Sequence, residues 1–217
     1  MTDSYFTCAK CNARSCADPN KVYPSGCLSS LAEKSDLVAS ALAEFNTNEQ
    51  SKAIAQAAAA VEAEYYCLAP RAEEIVRFAR KMGYKKIGIA SCIGLLKETQ
   101  QFAEILEAAD LIPHGVTCKV GRTDKTQIGV PEKDKLSPGN FESMCNPILQ
   151  AMLLNQEATD FNVIIGLCVG HDSLFIKYAK APVTTLVAKD RVFAHNTVGA
   201  LYTLDTYSRR LLDLGNK

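Results

Sequence analysis

The sequence predicts an α/β fold: a small Rossmann-like parallel sheet of about four strands flanked by helices. A helical segment and a cysteine-rich amino-terminal metal-binding segment precede it. Three observations carry this. From Lys85 onward, short apolar β-branched runs alternate with amphipathic helical stretches, the pattern of βαβ units with right-handed crossovers. Within Phe161–Asp172 (FNVIIGLCVGHD), the run Val163–Leu167 leads straight into Cys168, Gly170, His171 and Asp172. A strand buried on both faces and ending in a functional loop reads this way. Residues 1–27 hold Cys8, Cys11, Cys16 and Cys27 among Pro19, Pro24 and Gly26, with little apolar periodicity. So short a segment builds no core without a metal, disulfides or a partner surface.

The elements follow in chain order. Leu28–Phe45 is predicted as one amphipathic helix, from Leu28, Leu31, Leu37, Val38, Leu42 and Phe45. Thr47 and Gln50 fit a capping box that opens an alanine-rich helix over about 48–65. Pro70 starts a third helix and Gly83 stops it. The strands are Lys86–Ala90, His114–Lys119, Asn162–Leu167 and Pro182–Ala188. The intervening helices are LLKETQQFAEILEAAD, Phe141–Glu157 and Ser173–Ala179, and Val198–Leu214 closes the chain. A loop from Lys119 to Asn140 is long for a compact domain, and such loops are often functional. The organisation is thus a metal-binding segment (1–27), a helical segment packed on the core (28–84) and the Rossmann-like domain (85–217).

Composition narrows the function classes. The chain has 217 residues, and its 24 basic and 24 acidic side chains cancel. No strong field favours nucleic acid or an anionic membrane. The first residues, MTDSYFTCAK, lack a basic start and an apolar core, which argues against a secretory leader. No apolar run approaches the ~20 residues of a membrane span. The expected location is the cytoplasm, where disulfides are rare, so nine cysteines suggest metal or reactive chemistry.

Ligands of open parallel sheets bind beyond the carboxyl ends of the strands. Cys92 follows the first predicted strand, Cys118 ends the second, Cys168 and His171 leave the third, and His195 follows the fourth. Cys145, at or near the start of the helix after the long loop, can reach the same edge. Cys67 and His114 are read instead as a core thiol and a surface imidazole. Cys92 at a helix start is placed for a lowered pKa. Gly94, Lys119 and Arg122 are candidates to hold a ligand beside it, Lys125 adding positive charge.

The amino-terminal spacing, Cys8-x2-Cys11-x4-Cys16-x10-Cys27, completes a four-thiolate site. It lacks the second Cys-x2-Cys knuckle of a zinc ribbon. It resembles the motif that holds a 4Fe–4S cluster near the start of carbon monoxide dehydrogenases and hybrid-cluster proteins. An iron–sulfur cluster is therefore the favoured cofactor, with zinc the alternative.

The stretches CAKCNARSC, YPSGC, VEAEYYC, KKIGIASCIGL, CKVGR, MCNPILQA, DFNVIIGLCVGHDSLF and APVTTLVAKDRVFAHN run from residue 8 to about 202. Together they resemble the family of predicted metal-binding proteins catalogued as domain of unknown function eighteen-forty-seven. The resemblance implies metal and fold but no substrate. It also implies a proline after the last amino-terminal cysteine, where this chain has Leu28. Three functions are weighed. The first is a redox or electron-transfer protein with a cluster on the amino-terminal quartet and a second metal at Cys92, Cys118, Cys145 and Cys168, His171 or His195 being alternative ligands. The second is a zinc-binding sensing or storage module. It is motivated by SCIGLL, which lacks the glycines of a dinucleotide fingerprint. The third is a cysteine-dependent enzyme using Cys92 or Cys168 with His171. The expected partner is a redox protein or a small molecule.

Overall fold

The structure is a computed structural model that describes residues 8–216. Met1–Thr7, on which the reading against a leader partly rests, lie outside the described residues. The chain divides into two compact units, one up to Ala60 and one from Val61.

The second unit is built on a four-stranded parallel sheet of order β2-β1-β3-β4. Its strands are β1 (Lys86–Ser91), β2 (Ile112–Thr117), β3 (Phe161–Ile165) and β4 (Val183–Val187). The central strands β1 and β3 are buried along nearly their whole length, so both of their faces are apolar. Ile87 and Ile89 of β1, with Phe161, Val163 and Ile165 of β3, face one core. That core also receives Ile75, Val76 and Ala79 of α4 (Arg71–Lys81) and Phe102 and Leu106 of α5 (Leu96–Ala108). Ala90 and Ile164 point the other way, toward Ala151 and Leu154 of α6 (Pro147–Gln156) and Phe175 of α7 (His171–Tyr178). The alternation of side chains along a strand makes two cores from one sheet, and helices cover both faces as predicted.

Several predicted boundaries move. Strand β2 begins two residues before its predicted start, with Pro113 inside it in register with Ile87. A proline lacks the N–H for a ladder bond but is tolerated on an edge strand, and β2 is an edge. His114 consequently lies within β2, half-buried, with Nδ1 3.6 Å from Glu157. Residues 141–146 are not helical: Asn146 caps α6, its Oδ1 accepting from Leu149 N–H at 3.0 Å, and Pro147 occupies the first turn. Proline disfavours helical backbone in the residue before it, so the helix cannot start at Phe141. The predicted closing helix breaks into α8 (Gly199–Tyr202) and a 3-10 stretch, Arg209–Asn216. Cys67 is exposed with φ 57 rather than a core thiol. It sits in the left-handed turn that ends α3 (Glu49–Tyr65), which places it outside any apolar packing.

In the first unit the predicted Leu28–Phe45 helix is two helices, α1 (Leu28–Lys34) and α2 (Leu37–Thr47). They are separated at Asp36, whose φ of 58 is left-handed. The cap of α3 is Asn48, whose Oδ1 accepts from Ser51 N–H at 3.0 Å. Thr47 instead donates its hydroxyl back to Ala43 O at 2.8 Å, so the Thr47–Gln50 box does not form. No helix among the described residues is long and apolar enough to cross a membrane.

Candidate functional site

The carboxyl edge of the sheet gathers the predicted thiols. Strand β1 runs into Cys92, whose N–H donates to Ile165 O at 3.0 Å and whose carbonyl accepts from Leu95 N–H at 2.9 Å. A Cβ built on Gly94 would lie 3.8 Å from the Cys92 sulfur, so this glycine leaves the backbone close beside the thiol. Strand β2 runs into Cys118, which is 2% exposed. Its N–H donates to Ser91 O at 2.7 Å, and its sulfur accepts from Ile93 N–H at 3.4 Å. Cys92 and Cys145 pack against the same apolar cluster as Cys118.

Cys118 and Cys145 act as a pair. The Cys118 thiol donates to the Cys145 sulfur, which pushes Cys118 up and Cys145 down. The nearby Lys119 ammonium lowers Cys145 further, against the opposing effect of burial. Like charges crowded into one partly buried site cannot all ionise, so the proton stays on the inner sulfur.

Cys168 leaves β3 through Gly166 and Leu167, and its carbonyl accepts the N–H groups of His171 and Asp172 at 2.9 and 3.1 Å. Gly170, with φ 85, is the cap of α7. His171 therefore does not cap its own helix, and its buried Nδ1 has no hydrogen-bond partner among the described residues. The Cys168 sulfur is 3.1 Å from Arg191 Nη2. This contact holds Arg191 more firmly charged, helped by the fields of Cys168, Cys92 and Cys145.

The long loop explains how Cys145 arrives there. Its two arms pair at an antiparallel bridge between Asp124 and Ser143. Met144 N–H donates to Thr123 O at 2.8 Å, and Asn146 N–H donates to Cys118 O at 2.8 Å. Asp124 is the hub. Its carboxylate accepts from the N–H groups of Thr126 (2.9 Å) and Glu142 (2.7 Å) and from Lys135 at 3.1 Å. Those bonds, Thr126 N–H foremost, hold its carboxyl below the usual range. Glu142 is lowered in turn by Lys125 and Glu132 by Lys135. A depressed carboxyl stabilises the folded loop above its unfolded pKa of about 4 and loses that contribution as pH falls through the folded value. Amide exchange at Glu142 and Met144 should therefore stay slow from neutrality to about pH 4 and quicken below it. Asp124→Ala should make it fast at every pH. Equal protection in both chains would refute the role given to Asp124.

The other candidates lie differently. His195 has φ 66 and accepts Asp190 N–H on Nδ1 at 3.1 Å, so it shapes the 190–196 loop. Arg122, with φ 45, has no hydrogen-bond or ion-pair partner for its side chain among the described residues. Lys119 donates to Ser143 O, which ties it to the arm that bears Cys145. Two residues of the site were not singled out from the sequence. Arg191 signals itself only by following β4 onto the same edge. Gln150 is fully buried and donates to Ser91 O (3.2 Å) and Val116 O (2.7 Å). It bridges β1 and β2 just before their cysteines.

The amino-terminal cysteines lie in the first unit. Cys8 opens a 3-10 turn whose carbonyl accepts Cys11 N–H at 3.1 Å. The Cys11 thiol is lowered by the backbone N–H groups of Arg14 and Ala13. The Tyr23 hydroxyl donates to Glu33 at 3.1 Å. That bond pushes Tyr23 up first, and the fields of Cys27 and Cys16 add to it. Among the described residues, no group of three or more His, Cys, Asp or Glu side chains is gathered as a metal shell.

Comparison with known proteins matches residues 28–186 to the family described as "Protein of unknown function (DUF1847)". An uncharacterized protein, MJ0455, of Methanocaldococcus jannaschii is 43% identical over 206 residues, covering 95% of this chain and 98% of that protein. No solved structure matches the chain. With both matches spanning most of its length, the chain belongs to the DUF1847 family.

Proposed function

We propose that the protein is a thiolate metal-binding protein with a redox or electron-transfer role. In this reading Cys8, Cys11, Cys16 and Cys27 hold a 4Fe–4S cluster. Cys92, Cys118, Cys145 and Cys168 hold a second soft metal or cluster, with His171 as the alternative donor. The observation that carries it is the company of the edge thiols: Cys145 is lowered by its neighbours, and Arg191 sits on Cys168 in the fields of Cys92 and Cys145. A thiolate-held centre is anionic, and cations beside it offset that charge while hydrogen bonds to sulfur tune its potential. Two further features fit such a group. The buried Nδ1 of His171 lacks a partner. At Cys11, the N–H groups of Ala13 and Arg14 are turned toward the sulfur, an arrangement that favours the ligating, deprotonated form. When bound, the group would supply one-electron chemistry. The chain's own part is to position the thiols, balance their charge with Lys119 and Arg191, and limit solvent at Cys118.

Anaerobic reconstitution with iron and sulfide tests this. The expected product is brown, contains iron and acid-labile sulfide, and loses one centre when either quartet is changed to serine. Colourless protein that takes zinc and no iron would replace the redox reading with the zinc module. Protein that takes neither would overturn both.

A further inference from the structure

We infer that the carboxyl end of the β1–β3 pair binds a small dianion, with Lys189 and Arg191 holding its two anionic groups. The inference goes beyond metal binding: it gives the edge a small-molecule ligand, held by groups other than the thiols.

The sheet sets the place. In the order β2-β1-β3-β4 the chain leaves β1 for β2 on one side and returns as β3 on the other. Ligands of open parallel sheets bind at such a switch point, beyond the carboxyl ends of the strands. Gly166 leaves β3 there with φ 67. A Cβ built on it would lie 2.1 Å from Leu95 Cδ1 and 3.7 Å from Lys189 Nζ, so the glycine lets the Lys189 ammonium close onto the backbone. Lys189 is half-buried, and its Nζ has no hydrogen-bond or ion-pair partner among the described residues. Two residues after Gly166, the Cys168 sulfur takes Arg191 Nη2 at 3.1 Å, and the rest of that guanidinium makes no bond among the described residues. The N–H groups of Cys168, Val169 and Gly170 likewise donate to nothing among the described residues. Ser91, in register with Ile165 and fully buried, has a hydroxyl without a partner among the described residues. Alternation along β1 puts that hydroxyl on the face of Ile87 and Ile89, which Leu95 also covers.

Charge and spacing select the ligand. The two nearby carboxylates are committed to their own turns: Asp190 Oδ1 accepts the N–H groups of Val192 and Phe193 at 2.8 Å, and Asp172 Oδ1 accepts Ser173 N–H at 2.7 Å. The start of α7 is not the site, because the N–H groups of His171 and Asp172 are spent on Cys168 O. What remains is a half-buried ammonium without a counter-charge, a guanidinium with spare donors, and three backbone N–H groups between them. Such a set attracts oxygen anions. Gly166 and Cys168 lie at most about 7 Å apart along the chain. The two cations therefore match anionic groups joined by a short linker, as in pyrophosphate or a short dicarboxylate. The planar fork of Arg191 suits two oxygens of one group, and Lys189 serves the other as a point charge.

The test uses the full chain as purified, with metal content measured on the same sample. Lysines are acylated in rising pyrophosphate or succinate, and the modified sites are mapped by peptide mass. Lys180, exposed before β4 at the opposite edge of the sheet, is the reference. Acylation of Lys189 should slow about tenfold at ten times the half-protecting concentration, while that of Lys180 stays unchanged. Protection by pyrophosphate alone identifies a phosphoryl ligand and protection by succinate alone a dicarboxylate, and either supports the inference. Arg191→Gln should raise the half-protecting concentration by about tenfold or more. The pattern in the parent chain decides the matter even if that variant does not fold. Equal slowing of Lys180, slowing matched by sodium chloride at the same ionic strength, no slowing with either probe, or an unchanged half-protecting concentration in folded Arg191→Gln protein would overturn the inference. Protection in a chain that takes no metal keeps this inference and removes the metal reading. Metal without protection does the reverse.

Discussion

Gly88→Ala is expected to destabilise the sheet unit by about 3–5 kcal/mol, a large part of the ~5–15 kcal/mol that holds an ordinary domain folded. Gly88 lies in the middle of β1, in register with Asn162 of β3. A Cβ there would lie 2.0 Å from Asn162 Oδ1 and 2.9 Å from Leu154 Cδ1. Neither neighbour has room to yield, since Asn162 and Leu154 are both fully buried. Asn162 Oδ1 also accepts the Thr159 hydroxyl at 2.9 Å, so moving it breaks a buried hydrogen bond as well as overpacking the core. Urea denaturation of the variant should show a lower midpoint with an unchanged slope. The second change Asn162→Ala should cost less in the Gly88→Ala background than in the parent, because it removes the clash. A Gly88→Ala chain within about 1 kcal/mol of the parent would refute this account of the β1–β3 contact.

Gly88 also shows where the sequence is readable and where it is not. KIGIA reads as a strand because Ile87 and Ile89 make an apolar, β-branched run, but nothing in the run says that its glycine faces an asparagine across the sheet. Strands β1 and β3 are legible because burial on both faces makes them continuously apolar. The edge strand β2 is less so, since its start holds Pro113 and none of its residues is fully buried. The start of α6 was in principle legible, because Asn146-Pro147 is a cap followed by a first-turn proline. Apolar periodicity through Phe141 hid it. The same competition misplaces the Leu28–Phe45 helix, where the apolar spacing runs across a left-handed Asp36 that periodicity cannot register.

The site divides along similar lines. That Cys92, Cys118 and Cys168 share an edge follows from topology alone, because parallel strands end on one side. That Cys145 joins them depends on the loop folding back through Asp124, Glu142 and Lys135, side chains far apart in the sequence that meet only in three dimensions. The placing of Arg191 on Cys168 is a distance and not a spacing. His195 illustrates the converse. Its position after β4 suggests a ligand, yet its Nδ1 is taken by Asp190 N–H.

Gln150→Leu is expected to loosen the cysteine edge while leaving the fold in place. Gln150 occupies the core stripe of α6 with Pro147, Ala151 and Leu154, so a polar residue there demands a reason. Its Nε2 supplies one by donating to Ser91 O at 3.2 Å and Val116 O at 2.7 Å. These carbonyls end β1 and β2, immediately before Cys92 and two residues before Cys118. Leucine fills a similar volume but donates nothing, leaving Val116 O without that bond; Ser91 O keeps Cys118 N–H at 2.7 Å. The loss of hydrogen bonds at buried carbonyls costs about 1–3 kcal/mol. It is partly offset because Gln150 Oε1 has no partner among the described residues and its burial is no longer needed. The stability change should therefore fall near the lower end of that range. The larger effect is local. With the amide's bridge between the ends of β1 and β2 lost, Cys118 should be exposed more often and be alkylated roughly tenfold faster, as expected if about 1.4 kcal/mol of local restraint is lost. Labelling of Cys67, exposed in a separate turn, should not change. If both thiols accelerate together, Gln150 supports the fold globally. If neither does, the amide does not hold the edge, and the register of the strands alone sets the spacing of Cys92 and Cys118.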